Sequence, residues 1–168
     1  GSTEDQVAVR TGAVFGRRLV RARPPRAARP WAPRGTVLIT GGTGAIGGHV
    51  ARWLAERGAA RGVLASRSGP AAAGAAGLAA QLAAAGTQVA VMAADLARRE
   101  QVAGLVAWIG TSGPRLSVVM HTAGTGQATA LDDTTLAELA EIWAAKAAGA
   151  AHLDELTSEL DLDGFVLF

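Results

Sequence analysis

The sequence predicts a doubly wound α/β fold with a parallel sheet, and two observations lead to this prediction. From residue 36 onward, short β-rich runs alternate with alanine- and leucine-rich segments of helical spacing, and a glycine-rich loop follows the first run. The runs are almost continuously apolar, which is typical of strands that crossover helices cover on both faces. The predicted strands are 37–40, 62–66, 89–93, 117–120 and 165–168, and the predicted helices are 45–58, 71–85, 98–109 and 134–159.

Length and composition limit the classes of protein to consider. The chain has 168 residues, of which 49% are hydrophobic, enough for one domain with a buried core. It contains no cysteine, so it offers no disulfide framework, thiolate metal site or cysteine nucleophile. No apolar run is long enough to cross a bilayer, and the N-terminus lacks the order of a secretory signal. We therefore expect a cytoplasmic protein without membrane contact.

Residues 1–34 differ in composition from residues 35–168 and predict a separate unit. Residues 6–22 alternate and turn at Thr11 and Gly12, which predicts a short hairpin, and a connector rich in proline and arginine follows to Arg34. Half of the basic residues lie in this first part, although the net charge is only +2. Arginine among prolines is typical of a solvated linker, and no array of aromatic residues accompanies it. We expect no nucleic-acid partner.

The glycine-rich loop predicts a dinucleotide site. Gly42, Gly44 and Gly47 form a GxGxxG pattern that leaves the first strand of the sheet and opens a helix. Glycines permit the tight turn and let backbone N–H groups approach a pyrophosphate, which lies at the positive end of the helix. The cofactor-binding residues predicted in this stretch are Thr40, Gly41, Gly42, Thr43, Gly44, Ala45, Ile46 and Gly47.

The end of the second strand favours NADPH as the cofactor. An acidic residue there would accept hydrogen bonds from the ribose 2′-hydroxyl of NAD, but the sequence has Ser66, Arg67 and Ser68. One cation between two hydroxyls suits a 2′-phosphate. The alternative is that Arg67 is an ordinary surface arginine. An NAD-dependent epimerase or dehydratase of the same fold would predict an acidic residue in its place.

The ends of the third and fourth strands complete the predicted cofactor site. The carboxylate of Asp95, which precedes Leu96, is placed to reach the adenine amino group, although aspartate is also a common helix cap. The fourth strand ends in small residues that allow a ribose and nicotinamide to lie against the backbone. This stretch is His121, Thr122, Ala123 and Gly124. His121 shows no ligand spacing with the other histidines, so we expect no metal site and a packing role for its ring.

The stretches TGGTGAIG, ASRSG, ADL, HTAG and AAKAAGAAHLDELT, taken in order, resemble the ketoreductase domains of modular polyketide synthases. These domains belong to the short-chain dehydrogenase/reductase superfamily. The resemblance implies that residues 1–34 are the end of a structural subdomain with its linker. Residues 35–168 would then be the NADPH-binding part of the catalytic subdomain. The implied reaction is reduction of the β-ketone of an acyl chain tethered to an acyl carrier protein, within the remainder of the ketoreductase and its synthase module.

Lys146, the only lysine of the chain, falls on the family's catalytic lysine. The resemblance implies that it works with a serine and a tyrosine from later segments. In a regular helix Lys146 shares one face with Leu139, Trp143 and Leu153, which predicts that it points toward the sheet. There its ammonium would bind the nicotinamide ribose and lower the pKa of the tyrosine. The alternative is a lysine whose stem lies along an apolar surface.

The sequence also departs from the family pattern. It contains no tyrosine and ends at GFVLF, where the family's serine comes next, so we expect an incomplete sheet and no reductase activity from this chain alone. A second hypothesis is a non-catalytic dinucleotide-binding or structural domain of a synthase.

The resemblance also bears on stereochemistry. B-type domains carry Leu-Asp-Asp almost directly after the HTAG-like stretch, whereas residues 126–128 are Gly-Gln-Ala. The displaced Leu131-Asp132-Asp133 predicts instead a cap for the next helix, through Asp133 or Thr134. We therefore expect an A-type domain that gives an L-configured hydroxyl.

Overall fold

The structure is a computed structural model that describes residues 4–21, 31–126 and 128–168. The chain divides into two compact units, Gly1–Pro30 and Trp31–Phe168. Most of the predicted linker, residues 22–30, lies outside the described residues, as does Gln127. Within the part of the chain that is described, no helix has both the length and the apolar character needed to cross a membrane.

The first unit contains a small antiparallel pair of strands. Strand β1 (Val7–Arg10) pairs with β2 (Ala13–Gly16), and the turn between them contains Gly12 with a φ of +81°. Glycine adopts this left-handed conformation without the steric cost of a side chain. After the second strand, Arg18 forms an ion pair with Glu4 at 2.5 Å. The alternating segment thus forms a hairpin of two short strands.

The second unit is a five-stranded parallel sheet with helices between the strands, and this confirms the predicted doubly wound fold. Its strands lie in the order β5-β4-β3-β6-β7, and every neighbouring pair is parallel. The chain starts in the centre at β3, runs outward to β5 and then returns to the other side of β3. The direction of winding therefore reverses between β3 and β6, and ligands of open α/β sheets bind at the carboxyl ends of the strands at such a point.

The helices and strands of this unit follow one another as the sequence pattern predicts. Each strand lies within one residue of its predicted bounds. The strands are β3 (Thr36–Thr40), β4 (Arg61–Ser66), β5 (Gln88–Ala93), β6 (Leu116–His121) and β7 (Gly164–Leu167). The helices are α1 (Ala45–Glu56), α2 (Ala75–Ala84), α3 (Arg99–Thr111), α4 (Leu136–Trp143) and α5 (Gly149–Thr157).

Two apolar layers hold the helices on the sheet. Successive side chains of β3 point to opposite faces, and Leu38 and Ile39 are both buried. Ile39 packs in the layer that includes Leu54 of α1, whereas Leu38 packs in the layer that includes Ile109 of α3 and Leu153 of α5. Because both faces of β3 are covered, its sequence is apolar without alternation.

The predicted helix 71–85 is shorter than expected. A 3₁₀ turn at Gly69–Ala71 comes first, and α2 begins only at Ala75, after Gly74 with a φ of +78°. The low cost of that φ for glycine explains why the chain breaks there despite the strong helix propensity of the surrounding alanines.

The predicted helix 134–159 is also not continuous. It consists of α4, one π-helical turn at Ala144–Ala148 and α5. The predicted cap at Asp133 or Thr134 was wrong, because Asp133 closes a 3₁₀ turn and the cap is Thr135. The Thr135 side chain accepts from the N–H of Glu138, and the Glu138 carboxylate accepts from the N–H of Thr135 in return.

Candidate functional site

A cavity of about 440 Å³ lies at the carboxyl ends of β3, β4 and β6, where the direction of winding reverses. Its lining comes from segments far apart in the sequence, which the parallel sheet brings to one edge. The lining residues are Gly41, Thr43, Gly44, Ala45, Ile46, Gly47, Ser66, Arg67, Ser68, Ala94, Leu96, Thr122, Ala123, Gly124, Thr125 and Ala145.

The glycine-rich loop packs so closely that side chains are excluded. A Cβ on Gly47 would lie 2.3 Å from the carbonyl oxygen of Gly41, and a Cβ on Gly41 would lie 2.8 Å from Cα of Ala123. Gly41 also has a φ of +65°, which favours glycine. The N–H of Gly44 donates to the Gly41 carbonyl at 2.9 Å and closes the turn. Because no described side chain caps the N-terminus of α1, its first N–H groups are available to an anion.

The predicted 2′-phosphate contacts lie on a turn that is hydrogen-bonded from both sides. The hydroxyl of Thr43 donates to Ser66 Oγ at 2.8 Å, and Ser66 Oγ accepts from the N–H of Gly69 at 3.0 Å. Gly69 has a φ of +49°, and a Cβ there would lie 2.6 Å from the backbone nitrogen of Ala93. Arg67 is exposed on this turn, lines the cavity and has no hydrogen-bond or ion-pair partner among the described residues.

Asp95 is placed differently from the other predicted residues. Its carboxylate accepts from the N–H of Ala97 at 3.1 Å and lies 3.7 Å from the guanidinium of Arg98, so it stabilises the turn before α3. The cavity is lined at this point by Leu96 instead. A contact between Asp95 and an adenine stays a prediction.

Thr40, Gly42 and His121 lie beneath the cavity and not on its surface. Gly42 is buried against the chain itself, since a Cβ there would lie 2.7 Å from the carbonyl of Ile39. The hydroxyl of Thr40 lies 2.7 Å from Nδ1 of His121, and Nε2 of the same ring lies 2.9 Å from the carbonyl oxygen of Lys146. The His121 side chain is 1% exposed, and burial lowers its pKa below the ordinary 6.5, as does the nearby charge of Lys146.

Lys146 does not point toward the sheet, and that prediction was wrong. Lys146 is exposed, as are Leu139 at 52% and Trp143 at 66%, whereas Leu153 is fully buried. The reason is the π-helical turn, because one extra residue per turn rotates the faces of α4 and α5 by about 100° relative to each other. The Lys146 side chain instead lies along the loop after β6. Its Cδ is 3.9 Å from the place of a Cβ on Gly124, at the edge of the cavity.

Three lining residues were missed by the sequence analysis, namely Ala94, Thr125 and Ala145. Each lies one residue beside a predicted one, so extending the predicted stretches by one residue would have found them. Thr125 differs from the two alanines because its hydroxyl is buried and has no hydrogen-bond partner among the described residues. A buried hydroxyl without a partner is costly unless a ligand or water supplies one.

The residues of the cavity fit a phosphate-bearing dinucleotide. Gly41 and Gly47 let the loop pack tightly against neighbouring backbone beside the N-terminus of α1, which carries a partial positive charge. Arg67 adds a full charge, and Thr125 offers a hydroxyl that no described residue pairs. Among the described residues, no group of three or more histidine, aspartate or glutamate side chains could hold a metal ion.

The order of the strands, the cavity at their carboxyl ends and the glycine-rich turn after β3 define a Rossmann-like α/β domain. The chain belongs to the KR domain family, whose profile matches residues 35–168. The resemblance to ketoreductase domains of polyketide synthases is thereby confirmed.

Related sequences are polyketide synthases. Polyketide synthase GfsA of Streptomyces halstedii is 53% identical over 171 residues, which covers 98% of this chain and 2% of that protein. Pikromycin polyketide synthase component PikAIII of Streptomyces venezuelae is 46% identical over 167 residues, which covers 98% of this chain and 11% of that protein. The chain therefore spans a small part of the length of these relatives.

Related solved structures include ketoreductases. A structure of A-type ketoreductases from a modular polyketide synthase matches with a TM-score of 0.85 and 48% identity, over 98% of this chain and 35% of that one. The first ketoreductase of the tylosin synthase matches with a TM-score of 0.82 and 46% identity, again over 98% of this chain and 35% of that one. A structure described as a dehydrogenase from Burkholderia cenocepacia, solved with bound NADP, matches with a TM-score of 0.69 and 27% identity. The match covers 78% of this chain and 49% of that one.

Proposed function

We propose that the chain is the cofactor-binding part of a ketoreductase that reduces the β-ketone of an acyl chain on an acyl carrier protein to a β-hydroxyl. NADPH would supply the hydride. Residues 1–34 would be the end of a structural subdomain with its linker, and residues 35–168 the NADPH-binding portion of the catalytic subdomain. The other partners would be the remainder of the ketoreductase and of a synthase module, as the names of the related synthases suggest.

The observation that carries this proposal is that the glycine-rich loop, which forms a cradle of backbone N–H groups, and Arg67 line one cavity. The cradle and the N-terminus of α1 would hold the pyrophosphate through backbone N–H groups. Arg67 would pair with the 2′-phosphate, because it lines the same cavity and its guanidinium has no partner in the part of the chain that the structure describes. Thr122, Ala123 and Gly124 would provide a flat backbone surface for the ribose and nicotinamide.

Lys146 is the proposed catalytic residue of this chain. Its ammonium would bind the nicotinamide ribose and lower the pKa of a tyrosine that donates the proton to the developing alkoxide. The sequence contains no tyrosine, so the chain supplies only one member of this set. We expect no turnover of a β-ketoacyl thioester by the chain alone.

We further propose the A-type stereochemical course. Leu131–Asp133, which B-type domains would carry closer to HTAG, form a 3₁₀ turn before α4. The similarity to a structure described as an A1-type ketoreductase, at 48% identity and a TM-score of 0.85, exceeds that to a C2-type ketoreductase, at 39% and 0.74. Chiral analysis of the product of the complete ketoreductase would reject this assignment if the hydroxyl had the D configuration.

Titration of the chain with NADPH and with NADH, followed by the fluorescence of the reduced nicotinamide, tests the proposal. We expect tighter binding of NADPH. Arg67→Ala should weaken NADPH binding about tenfold or more, because a charged hydrogen bond contributes about 1.5–3 kcal/mol, and should leave NADH unchanged. Arg57→Ala is a matched control, since Arg57 lies at the opposite end of α1.

The other possible results of the dinucleotide titration each indicate a different function. A preference for NADH would favour an NAD-dependent epimerase or dehydratase. Weak binding of both dinucleotides by a folded chain would favour the non-catalytic domain and contradict the proposal.

A further inference from the structure

The ring of His121 connects three parts of the candidate site. His121 is the last residue of β6, and its Nδ1 lies 2.7 Å from the hydroxyl of Thr40, the last residue of β3. Its Nε2 lies 2.9 Å from the carbonyl oxygen of Lys146. One buried side chain thus joins the strand that leads into the glycine loop to the turn that carries the only lysine.

The partners of the ring decide which nitrogen carries the proton. A carbonyl oxygen only accepts hydrogen bonds, so Nε2 of His121 must be the donor to Lys146. Burial lowers the pKa of His121, and the ring is therefore neutral at pH 7. In a neutral ring the other nitrogen is an acceptor, so Nδ1 accepts from the hydroxyl of Thr40.

The turn that carries Lys146 is held by its backbone. In the π-helical turn, the N–H of Gly149 donates to the carbonyls of Ala144 and Lys146. Gly149 packs so closely that a Cβ there would lie 2.9 Å from Cβ of Leu96 and 3.4 Å from Cε1 of His121. The Lys146 side chain is exposed and has no hydrogen-bond or ion-pair partner among the described residues. Nothing described holds the ammonium directly, so its place depends on the backbone of the turn.

We propose that His121 is a positioning residue for Lys146. By donating to the Lys146 carbonyl it holds the π-helical turn against β6, and this directs the lysine side chain along Gly124 to the edge of the cavity. The functional meaning of this position rests on the proposed function, because it is the proposed cofactor that Lys146 would meet there. The hydrogen bond itself does not depend on that proposal.

The single lysine makes the test specific. Labelling the chain with carbonyl-¹³C lysine gives one carbonyl resonance, that of Lys146, which moves upfield when a hydrogen bond to this carbonyl is lost. We expect an upfield shift in His121→Met, which removes the donor, and recovery in His121→Gln, whose amide N–H reaches the same place. His152→Met is the matched control. His152 lies on α5, and its ring also contacts a carbonyl oxygen, but that of Leu96, which is 3.0 Å from Nδ1.

A second label reports the position of the ammonium. The chain labelled at the lysine ε-carbon gives one resonance that NADPH should shift in the wild type and in His121→Gln, but less in His121→Met at the same occupancy of the site. An unchanged carbonyl resonance in a folded His121→Met, or an equal response to NADPH in all variants, would overturn the proposal.

The wild-type protein provides a measurement that needs no variant to fold. Ring ¹⁵N shifts of the histidines, assigned with His121→Gln or through correlations within the wild type, distinguish the two neutral tautomers. We expect His121 protonated at Nε2, and protonation at Nδ1 would overturn the proposal. If NADPH fails to bind the wild type, the proposed function is wrong, whereas the carbonyl and tautomer measurements still test the hydrogen bond.

Discussion

Two neighbouring glycines of α1, Gly47 and Gly48, allow the contribution of close packing in the glycine-rich loop to stability to be measured. A Cβ on Gly47 would lie 2.3 Å from the Gly41 carbonyl oxygen and 2.7 Å from Cα of Gly42, both backbone atoms. On Gly48, one residue later, the nearest atom would be the mobile end of the Arg52 side chain, at 3.3 Å. Gly47→Ala and Gly48→Ala make the same chemical change in the same helical turn, and they differ only in what the new methyl group meets.

The expected magnitude follows from this difference. Replacing glycine by alanine inside a helix stabilises it by about 0.8–1 kcal/mol, and this gain is common to both variants. Extra volume in a packed site costs about 1–3 kcal/mol, and only Gly47→Ala incurs it in full, because the loop backbone must move by about 1 Å to reach ordinary contact distance. The free energy of unfolding should therefore be about 1–3 kcal/mol lower in Gly47→Ala than in Gly48→Ala.

Urea unfolding followed by circular dichroism measures this difference, and the unfolding midpoints should separate without a change of slope. The thermal midpoint should differ by about 2–4 °C for each kcal/mol. Gly47→Ala should also weaken NADPH binding, since the loop that moves carries the backbone N–H groups of the cradle. Equal stability and equal NADPH affinity of the two variants would refute the reasoning.

Two further predictions concern the helix cap and pH. Thr135→Ala removes the capping box of α4 and should lower the free energy of unfolding by about 1 kcal/mol in urea unfolding, whereas Asp133→Ala, outside the cap, should change it less. Because burial lowers the pKa of His121, the unfolded chain binds the proton at a higher pH than the folded chain. The contribution of the neutral His121 ring to the free energy of unfolding is fully present above pH about 6.5. It is lost as the pH falls toward the lowered pKa. Urea unfolding between pH 7.5 and 5.5 should show this loss in the wild type and a smaller one in His121→Gln, and equal pH dependence would contradict the assignment.

Much of the fold was predictable because its signals are local. Leu38 and Ile39 face opposite layers, and a strand buried on both sides favours a continuous apolar run such as residues 37–39, which is visible in the sequence. The break before α2 was less visible, because alanine favours helix on both sides of Gly74. The cap was misplaced because Asp133, Thr134 and Thr135 are all good capping residues, and only the backbone conformation selects Thr135.

The predicted residues at strand ends lie together at one cavity, whereas the predicted orientation of Lys146 on its helix was wrong. Gly47, Arg67 and Ala123 line the cavity because parallel strands bring their carboxyl ends to one edge. Lys146 was assigned to the wrong face because a regular helical period was applied across a π-helical turn.

The sequence by itself determined the order of strands and helices, the glycine loop after the first central strand and the arginine at the end of the second. These follow from the spacing of apolar residues and from the conformational freedom of glycine, which act over a few neighbouring positions. Only the tertiary structure decided the position of the π-helical turn that carries Lys146. That position depends on Gly149 against Leu96 and on His121 against the Lys146 carbonyl, contacts between residues far apart in the chain that no local pattern encodes.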